Sequence, residues 1–441
     1  LTLEPKRPDD RRMSRLKELL SGKFQQDVMW NFASLAVLGV SGILLKVIIG
    51  RYYDAVALGV FNQTLAAWFI FSQIAVAGID RSTLRAVAEH TNDREEVSAI
   101  VAGALVATLA LSAVVTLAYW GSIGWLSTWF NHSENMPTGL AVSAPGLFFF
   151  ALNKVLLGVV NGVQRMRAFA VYQTLRYSIP LLGLIGFLVL DVDRKHGNEI
   201  PVVFSVEECV LFLVLVLDVR RLVSLSLVRG WREWTREHLH YGIKSVVSGV
   251  LLELNAYVDI FVIGHFMTES DVGIYSFAAV LAVGFFQILF VLQNIYNPIL
   301  AREIAAHRFE ELEATIRRGR RWTYAGMAGV GLVAALVYPH ALLFLTGKAT
   351  FLASWAPFNY LVLGTVLASG YIPFAQTLLM SGHPGWHTGY MVATVAINAI
   401  ACWFAVPQFG LVGAAISTAS SMFASVFILK AMVRWRVGLK L

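Results

Sequence analysis

Apolar runs long enough to cross a bilayer recur along the chain, separated by short polar and basic segments. They centre near Val40, Phe69, Ala110, Phe149, Leu182, Leu213, Tyr257, Phe286, Val333, Val366, Ile397 and Met422. The pattern predicts an all-α polytopic membrane protein with about twelve transmembrane helices. Within it, the stretch from Val47 to Asp80 recurs without gaps at Phe261 to Asn294, offset by 214 positions. Gly50 pairs with Gly264, Gly59 with Gly273 and Gln73 with Gln287. In each copy an apolar run ends at Ile-Gly, a short polar loop follows, and a new run opens with Leu58-Gly59-Val60-Phe61 or Val272-Gly273-Ile274-Tyr275. This is an internal repeat of a helix-loop-helix unit.

The second helix of each copy carries a matched polar stripe. Asn62, Gln73 and Asp80 are spaced so that, at roughly 100° per residue, they lie within ~20° of one another. Their partners at the offset are Ser276, Gln287 and Asn294. Polar groups in hydrocarbon are costly unless they face protein or water, so the stripes either line a shared central cavity or make interhelical hydrogen bonds in a solid bundle.

Basic residues orient the chain. With the N-terminus inside, 27 of the 35 Lys and Arg fall in cytoplasmic segments, which predicts that both termini are cytoplasmic. The expected organisation is a basic N-terminal segment (1–27), an N-lobe of six helices (28–218), a cytoplasmic linker (219–240), a C-lobe of six helices (241–434) and a tail (435–441). Six helices per lobe make the repeat parallel, about an axis along the membrane normal. Glu303 to Arg321 reads as a cytoplasmic amphipathic helix. Leu16, Leu19, Leu20 and Phe24 repeat at helical spacing among basic residues, as in an interfacial helix. No cleavable signal is evident, and Met13 offers an alternative start.

Composition agrees: 57% of the 441 residues are hydrophobic and only 14% charged, against about 25% charged in soluble domains. The net charge of +7 needs no nucleic acid, since the basic residues are topogenic and face anionic headgroups. Cys209 and Cys402 lie in apolar segments of different halves and suggest neither a disulfide nor a metal site.

The candidate chemistry lies in charges at membrane depth. Lys46, Lys154, Arg176 and Lys244 sit within or near the ends of apolar runs, where a charge must snorkel, pair or face water. Lys244, Ser248, Asn255 and Asp259 share a face of the seventh helix within ~60°. Asp259 is there either a salt-bridge partner or a proton or sodium site. Glu253 lies nearly opposite and is expected to pair with another helix; Glu207 and Glu208 are the other acids at depth. Gly347-Lys348-Ala349-Thr350 lacks the pattern of a phosphate-binding P-loop, no clustered Cys/His set suggests metal catalysis, and no large outside loop houses catalytic residues. The chain therefore reads as a non-enzyme, without cofactor.

Asn255-Ala256-Tyr257-Val258-Asp259-Ile260-Phe261-Val262-Ile263-Gly264, then Asp271-Val272-Gly273-Ile274-Tyr275-Ser276, Ser381-Gly382-His383-Pro384, Asn398 and Pro407-Gln408-Phe409-Gly410-Leu411-Val412-Gly413-Ala414-Ala415-Ile416 carry a family resemblance. From Phe24 to Arg436 the chain resembles Wzx-type polysaccharide flippases of the multidrug/oligosaccharidyl-lipid/polysaccharide exporter superfamily. The resemblance implies two six-helix lobes that rock about a central cavity, turning polyprenyl-diphosphate-linked oligosaccharide from the cytoplasmic to the outer leaflet of a prokaryotic plasma (inner) membrane. Glycosyltransferases and a polysaccharide polymerase would be its partners, with membrane lipids around it. Lys154, Arg176, Lys244 and Lys46 would then meet the anionic diphosphate, while Asn62, Gln73, Asp80, Ser248, Asn255, Ser276, Gln287 and Asn294 would line the cavity. The rival reading is a multidrug or organic-cation exporter of the same superfamily, for which a cavity rich in acids is expected.

Overall fold

The computed structural model describes residues 22–441; the side chains of residues 22–28, 31, 32, 35, 244, 248 and 252 lie outside that description, as does the segment 1–21. Most of the expected interfacial helix, with Leu16, Leu19 and Leu20, therefore falls outside it. The apolar runs fold as α1 (Gly22–Tyr52), α2 (Ala55–Val76), α4 (Arg94–Gly121), α6 (Met136–Gly162), α7 (Met166–Leu190) and α8 (Val202–Leu222) in the first half. The second half has α9 (Trp231–Phe266), α10 (Glu269–Ala305), α11 (Phe309–Thr346), α12 (Trp355–Ala368) and α14 (Pro384–Arg436). Short helices α3 (Ile79–Glu89), α5 (Ile123–Trp129) and α13 (Thr377–Met380) lie between them.

At 1.5 Å per residue the 53 residues of α14 would extend ~80 Å, far beyond a hydrocarbon layer of about 30 Å. Gly410, with φ 56° and ψ −137°, breaks the helix just after Pro407. Its two halves are the runs centred on Ile397 and Met422, so the long helices account for all twelve apolar runs.

Caps at equivalent positions start the two repeat helices. Asp54 accepts from the Ala57 N–H at 2.8 Å, and Thr268 accepts from that of Asp271; both pairs are related by 214 positions. The helices then meet through matched glycines. A methyl on Gly59 would stand 1.8 Å from the Glu269 carbonyl oxygen, and one on Gly273 would stand 1.9 Å from that of Ala55. Likewise Gly50 abuts the ring of Phe277, and Gly264 abuts the side chain of Gln63, the position equivalent to Phe277. Each contact is made twice with the partners exchanged, the signature of a local twofold axis. Because α2 and α10 both begin at this end, the repeat is parallel.

Loops predicted to lie outside close the same end across the two lobes. Asn135 donates to Glu269 at 2.8 Å, the Arg51 guanidinium donates to the carbonyls of Phe344 and Leu345 at 3.3 and 3.2 Å, and Lys348 reaches the carbonyl of Tyr53.

Three expectations are corrected. Residues 219–240 are not wholly a linker: the second part is the start of α9, which packs onto the N-lobe through Trp234 to Glu96 (2.8 Å) and His238 to Ser82 (2.8 Å). Glu303 to Arg321 is not a separate helix but the end of α10 and the start of α11. Asp80 does not continue the stripe of α2, because Ala77 (φ 45°) and Gly78 (φ 70°) take left-handed backbone and turn the chain into α3.

Candidate substrate cavity

Between α1, α2, α6, α7, α8 and α9 lies a cavity of about 370 Å³. Apolar helix faces pack the outside of this ring, so the few polar side chains of the same helices are forced inward. Three of the four predicted substrate-binding cations line it, namely Lys46, Lys154 and Arg176. Gln73 lines it as expected.

Arg176 and Lys154 flank one ring. The guanidinium lies 4.4 Å from the centroid of Phe150 and the Lys154 ammonium 5.5 Å from it. Their surroundings differ. Arg176 is ion-paired with Glu208 at 2.5 Å and with Glu207 at 3.6 Å, and Asn153 donates to the second oxygen of Glu208 at 2.7 Å. Lys154 has no hydrogen bond or ion pair among the described residues, although Arg176, Asp80, Glu208 and Glu253 all act on it electrostatically.

The opposite wall comes from α9. Glu253 accepts from Gln73 at 3.1 Å, and Tyr257 stacks on Phe69 at 5.6 Å, so one hydrogen bond and one aromatic pair tie α2 to the first helix of the C-lobe. The expectation that Glu253 pairs with another helix holds, but it lines the cavity as well. With three carboxylates beside three cations, the lining is balanced in formal charge. The cations expected from the sequence thus share the lining with Glu207, Glu208 and Glu253.

Lys46 reaches out of the cavity toward α10, with its ammonium 3.5 Å from the Ser276 carbonyl. Behind it, Asp259 accepts from the Tyr275 hydroxyl at 2.7 Å and from the Ile260 N–H at 2.9 Å, in the field of Lys46. Asp259 thus belongs to a cluster beside the cavity rather than to its lining.

Other predicted lining residues lie elsewhere. Asn62 and Ser276, 2% and 0% exposed, bond the Leu58 and Gly273 carbonyls of their own helices; their matched positions serve the tight α2–α10 contact. Asp80 is half-buried at the start of α3, and Asn255, Gln287 and Asn294 are exposed on α9 and α10; none of the four lines this cavity. The side chains of Lys244 and Ser248 lie outside the described residues. Sequence reasoning did not assign Glu207, Glu208, Tyr177 or Phe150 to the site. The adjacent acids inside the run of α8 were the available signal, since two carboxylates at depth require a cation from another helix.

Among curated proteins, none matches the chain. Solved structures share its fold at low identity. A lipid II flippase MurJ in an inward closed conformation is 12% identical, covers 92% of this chain and 87% of its own, and has a TM-score of 0.75. An inward-facing multidrug resistance MATE family transporter of the MOP superfamily is 15% identical, covering 90% and 98%, with a TM-score of 0.73. A MOP superfamily transporter from Pyrococcus furiosus, described by the reverse polarity of its binding pocket, is 13% identical, covering 93% and 94%, with a TM-score of 0.59. The model of one family, described as polysaccharide biosynthesis protein, matches residues 26–304. Its match over more than half of the chain places this protein in the polysaccharide biosynthesis protein family.

Proposed function

We propose that the protein is a Wzx-type flippase that turns polyprenyl-diphosphate-linked oligosaccharide from the cytoplasmic to the outer leaflet of a prokaryotic inner membrane, with both termini cytoplasmic. The observation that carries this reading is Lys154, a cation without a carboxylate partner among the described residues, in a cavity where the lobes meet. A diphosphate entering there finds an ammonium at once and a guanidinium beside it that can exchange Glu207 and Glu208 for phosphate oxygens. A space of about 370 Å³ takes the diphosphate with its first sugar, and the polyprenyl tail stays in lipid. Alternating access of the cavity moves the head across. Glycosyltransferases would supply the substrate and a polymerase consume it. Asp259, beside Lys46, is the candidate for coupling to a proton or sodium gradient.

A second reading, export of organic cations, draws on Glu207, Glu208 and Glu253 in the same lining. Binding to the purified protein separates the two. Lys154→Gln should weaken a polyprenyl-diphosphate disaccharide by about tenfold, consistent with one charged hydrogen bond of ~1.5 kcal/mol. Undetectable disaccharide binding, together with tight ethidium binding that Glu253→Gln abolishes, would establish the exporter instead.

A further inference from the structure

The N-lobe has a groove that the C-lobe fills differently. Beside α3 and α4 it is occupied by the start of α9: the His238 imidazole bonds Ser82 at 2.8 Å and the Ile100 carbonyl at 3.2 Å. Contact is so close that a methyl on Gly103 would stand 2.7 Å from the Cβ of Trp234. The equivalent place in the C-lobe lies between α10 and α11. Ser82 corresponds to Tyr296 at the offset of 214, and the offset grows by one in the next loop, aligning Glu95-Glu96-Val97 with Glu310-Glu311-Leu312. Ile100, Gly103 and Ala107 then correspond to Thr315, Arg318 and Trp322.

Tyr296, Thr315, Arg318 and Trp322 line a groove of about 550 Å³ that continues over Ile288, Leu292, Met327 and Val330. A neighbouring hollow is lined by Arg317, Arg318, Arg321 and Trp322. No carboxylate lines either. The three arginines are exposed, and among the described residues none has an ion-pair partner, whereas Arg302 and Arg308 pair with Glu303 and Arg320 bonds the Tyr371 hydroxyl at 2.7 Å. Where the N-lobe has the small residues that admit a helix, the C-lobe has an arginine and a tryptophan, which exclude one at that distance. They suit an anion at the membrane surface instead.

We propose that the groove between α10 and α11 binds an anionic phospholipid, with its phosphate on Arg317, Arg318 and Arg321 and an acyl chain along Ile288, Leu292, Met327 and Val330. From Arg318 to Val330 the helix rises ~18 Å, close to one leaflet of a hydrocarbon layer about 30 Å thick. The groove shares no lining residue with the substrate cavity, so the site is separate from the proposed transport path. Gly326 lines it, and a methyl there would meet no atom within 4 Å, so its surface is open to a chain.

The test is mass spectrometry of the intact protein released from vesicles of phosphatidylglycerol and phosphatidylcholine with identical acyl chains. Phosphatidylglycerol should be retained in preference. Replacing Arg318 and Arg321 together by Gln should lower its apparent affinity by about an order of magnitude, in line with surface charge effects of this kind, and leave phosphatidylcholine unchanged. Gly326→Leu should displace the bound lipid without altering charge. Equal retention of both lipids, or a preference that survives both changes, overturns the site. So does replacement of the lipid by polyprenyl diphosphate, or a cross-link between cysteines at Phe24 and Leu292 in phosphatidylglycerol vesicles, because position 24 is the repeat equivalent of His238 and its capture would put the chain's own N-terminal segment in the groove.

Discussion

Lys154 and Arg176 share the ring of Phe150 but should respond differently to loss of charge. Arg176→Gln leaves Glu207 and Glu208 buried without their cation, and removing one partner of a buried pair costs about 3–5 kcal/mol. Lys154→Gln breaks no ion pair among the described residues and should leave thermal stability near that of the parent. Melting of the detergent-solubilised variants checks this, and Glu208→Gln added to Arg176→Gln should restore part of the loss. Equal melting of the two single variants would mean that the Arg176 pairs contribute nothing to stability. Asp259→Asn should slow transport driven by an imposed proton or sodium gradient more than it weakens substrate binding; unchanged gradient-driven transport would leave Asp259 as a structural partner of Tyr275 and Lys46. At this scale the sequence revealed which cations sit at depth but not their partners. The Arg176 pairs join α7 to α8, and helical periodicity orders residues within one helix without relating neighbouring ones. Asp80 was misassigned because a single left-handed turn at Ala77 and Gly78 resets the helical phase.

The α2–α10 contact makes a prediction for elements. Gly59→Ala and Gly273→Ala each place a methyl against backbone carbonyl, which cannot move without separating the helices. Each should cost about 1–3 kcal/mol of overpacking and, because the contact is symmetric, by similar amounts. Labelling of a cysteine placed at Asn131, in the loop that bonds Met267, should rise in both variants; protection as in the parent would refute the tight closure. The start of α9 carries a pH-dependent contact. Burial pushes the imidazole of His238 down to about 4, overriding the opposite pull of the Ile100 carbonyl. Unfolded histidine titrates near 6.5, so between these values the unfolded chain binds more protons. The contribution is therefore complete above about 6.5 and is lost as pH falls toward 4. Amide exchange across 231–242, corrected for its intrinsic pH dependence, should speed up at pH 5 relative to pH 7.5, and His238→Gln should remove that difference. Glu96 and His90 also contact Trp234; a difference that persists in the variant would assign the effect to them. The repeat was legible in the sequence because matched glycines and caps are local signals. The packing of α9 on the N-lobe was not, because its polar start resembles a linker until Gly103 and Ser82 receive it.

For the molecule as a whole, the all-helical membrane fold and the parallel repeat could be read from hydrophobic runs and the constant offset. The asymmetry between lobes could not. Matched stripes suggested one cavity lined equally by both halves, yet Asn62 and Ser276 are absorbed in packing and Gln287 stays apart, while the cavity collects Glu207, Glu208 and Arg176 from helices outside the matched stretch. Charge balance follows from the same physics, since buried cations recruit acids that a single-helix pattern does not relate to them. The proposed function joins the two lobes, the closed end and Lys154, unpaired among the described residues, in one cycle, and leaflet transfer tests it most directly. Purified protein is reconstituted in vesicles with a fluorescent polyprenyl-diphosphate oligosaccharide, and a membrane-impermeant sugar-modifying reagent reports the fraction on each side over time. Flippase action requires transfer that depends on the protein, falls several-fold in Lys154→Gln at matched reconstitution, and is absent for a neutral polyprenyl sugar lacking the diphosphate. Transfer no faster than in protein-free vesicles, or equal rates for the charged and neutral lipids, would contradict it.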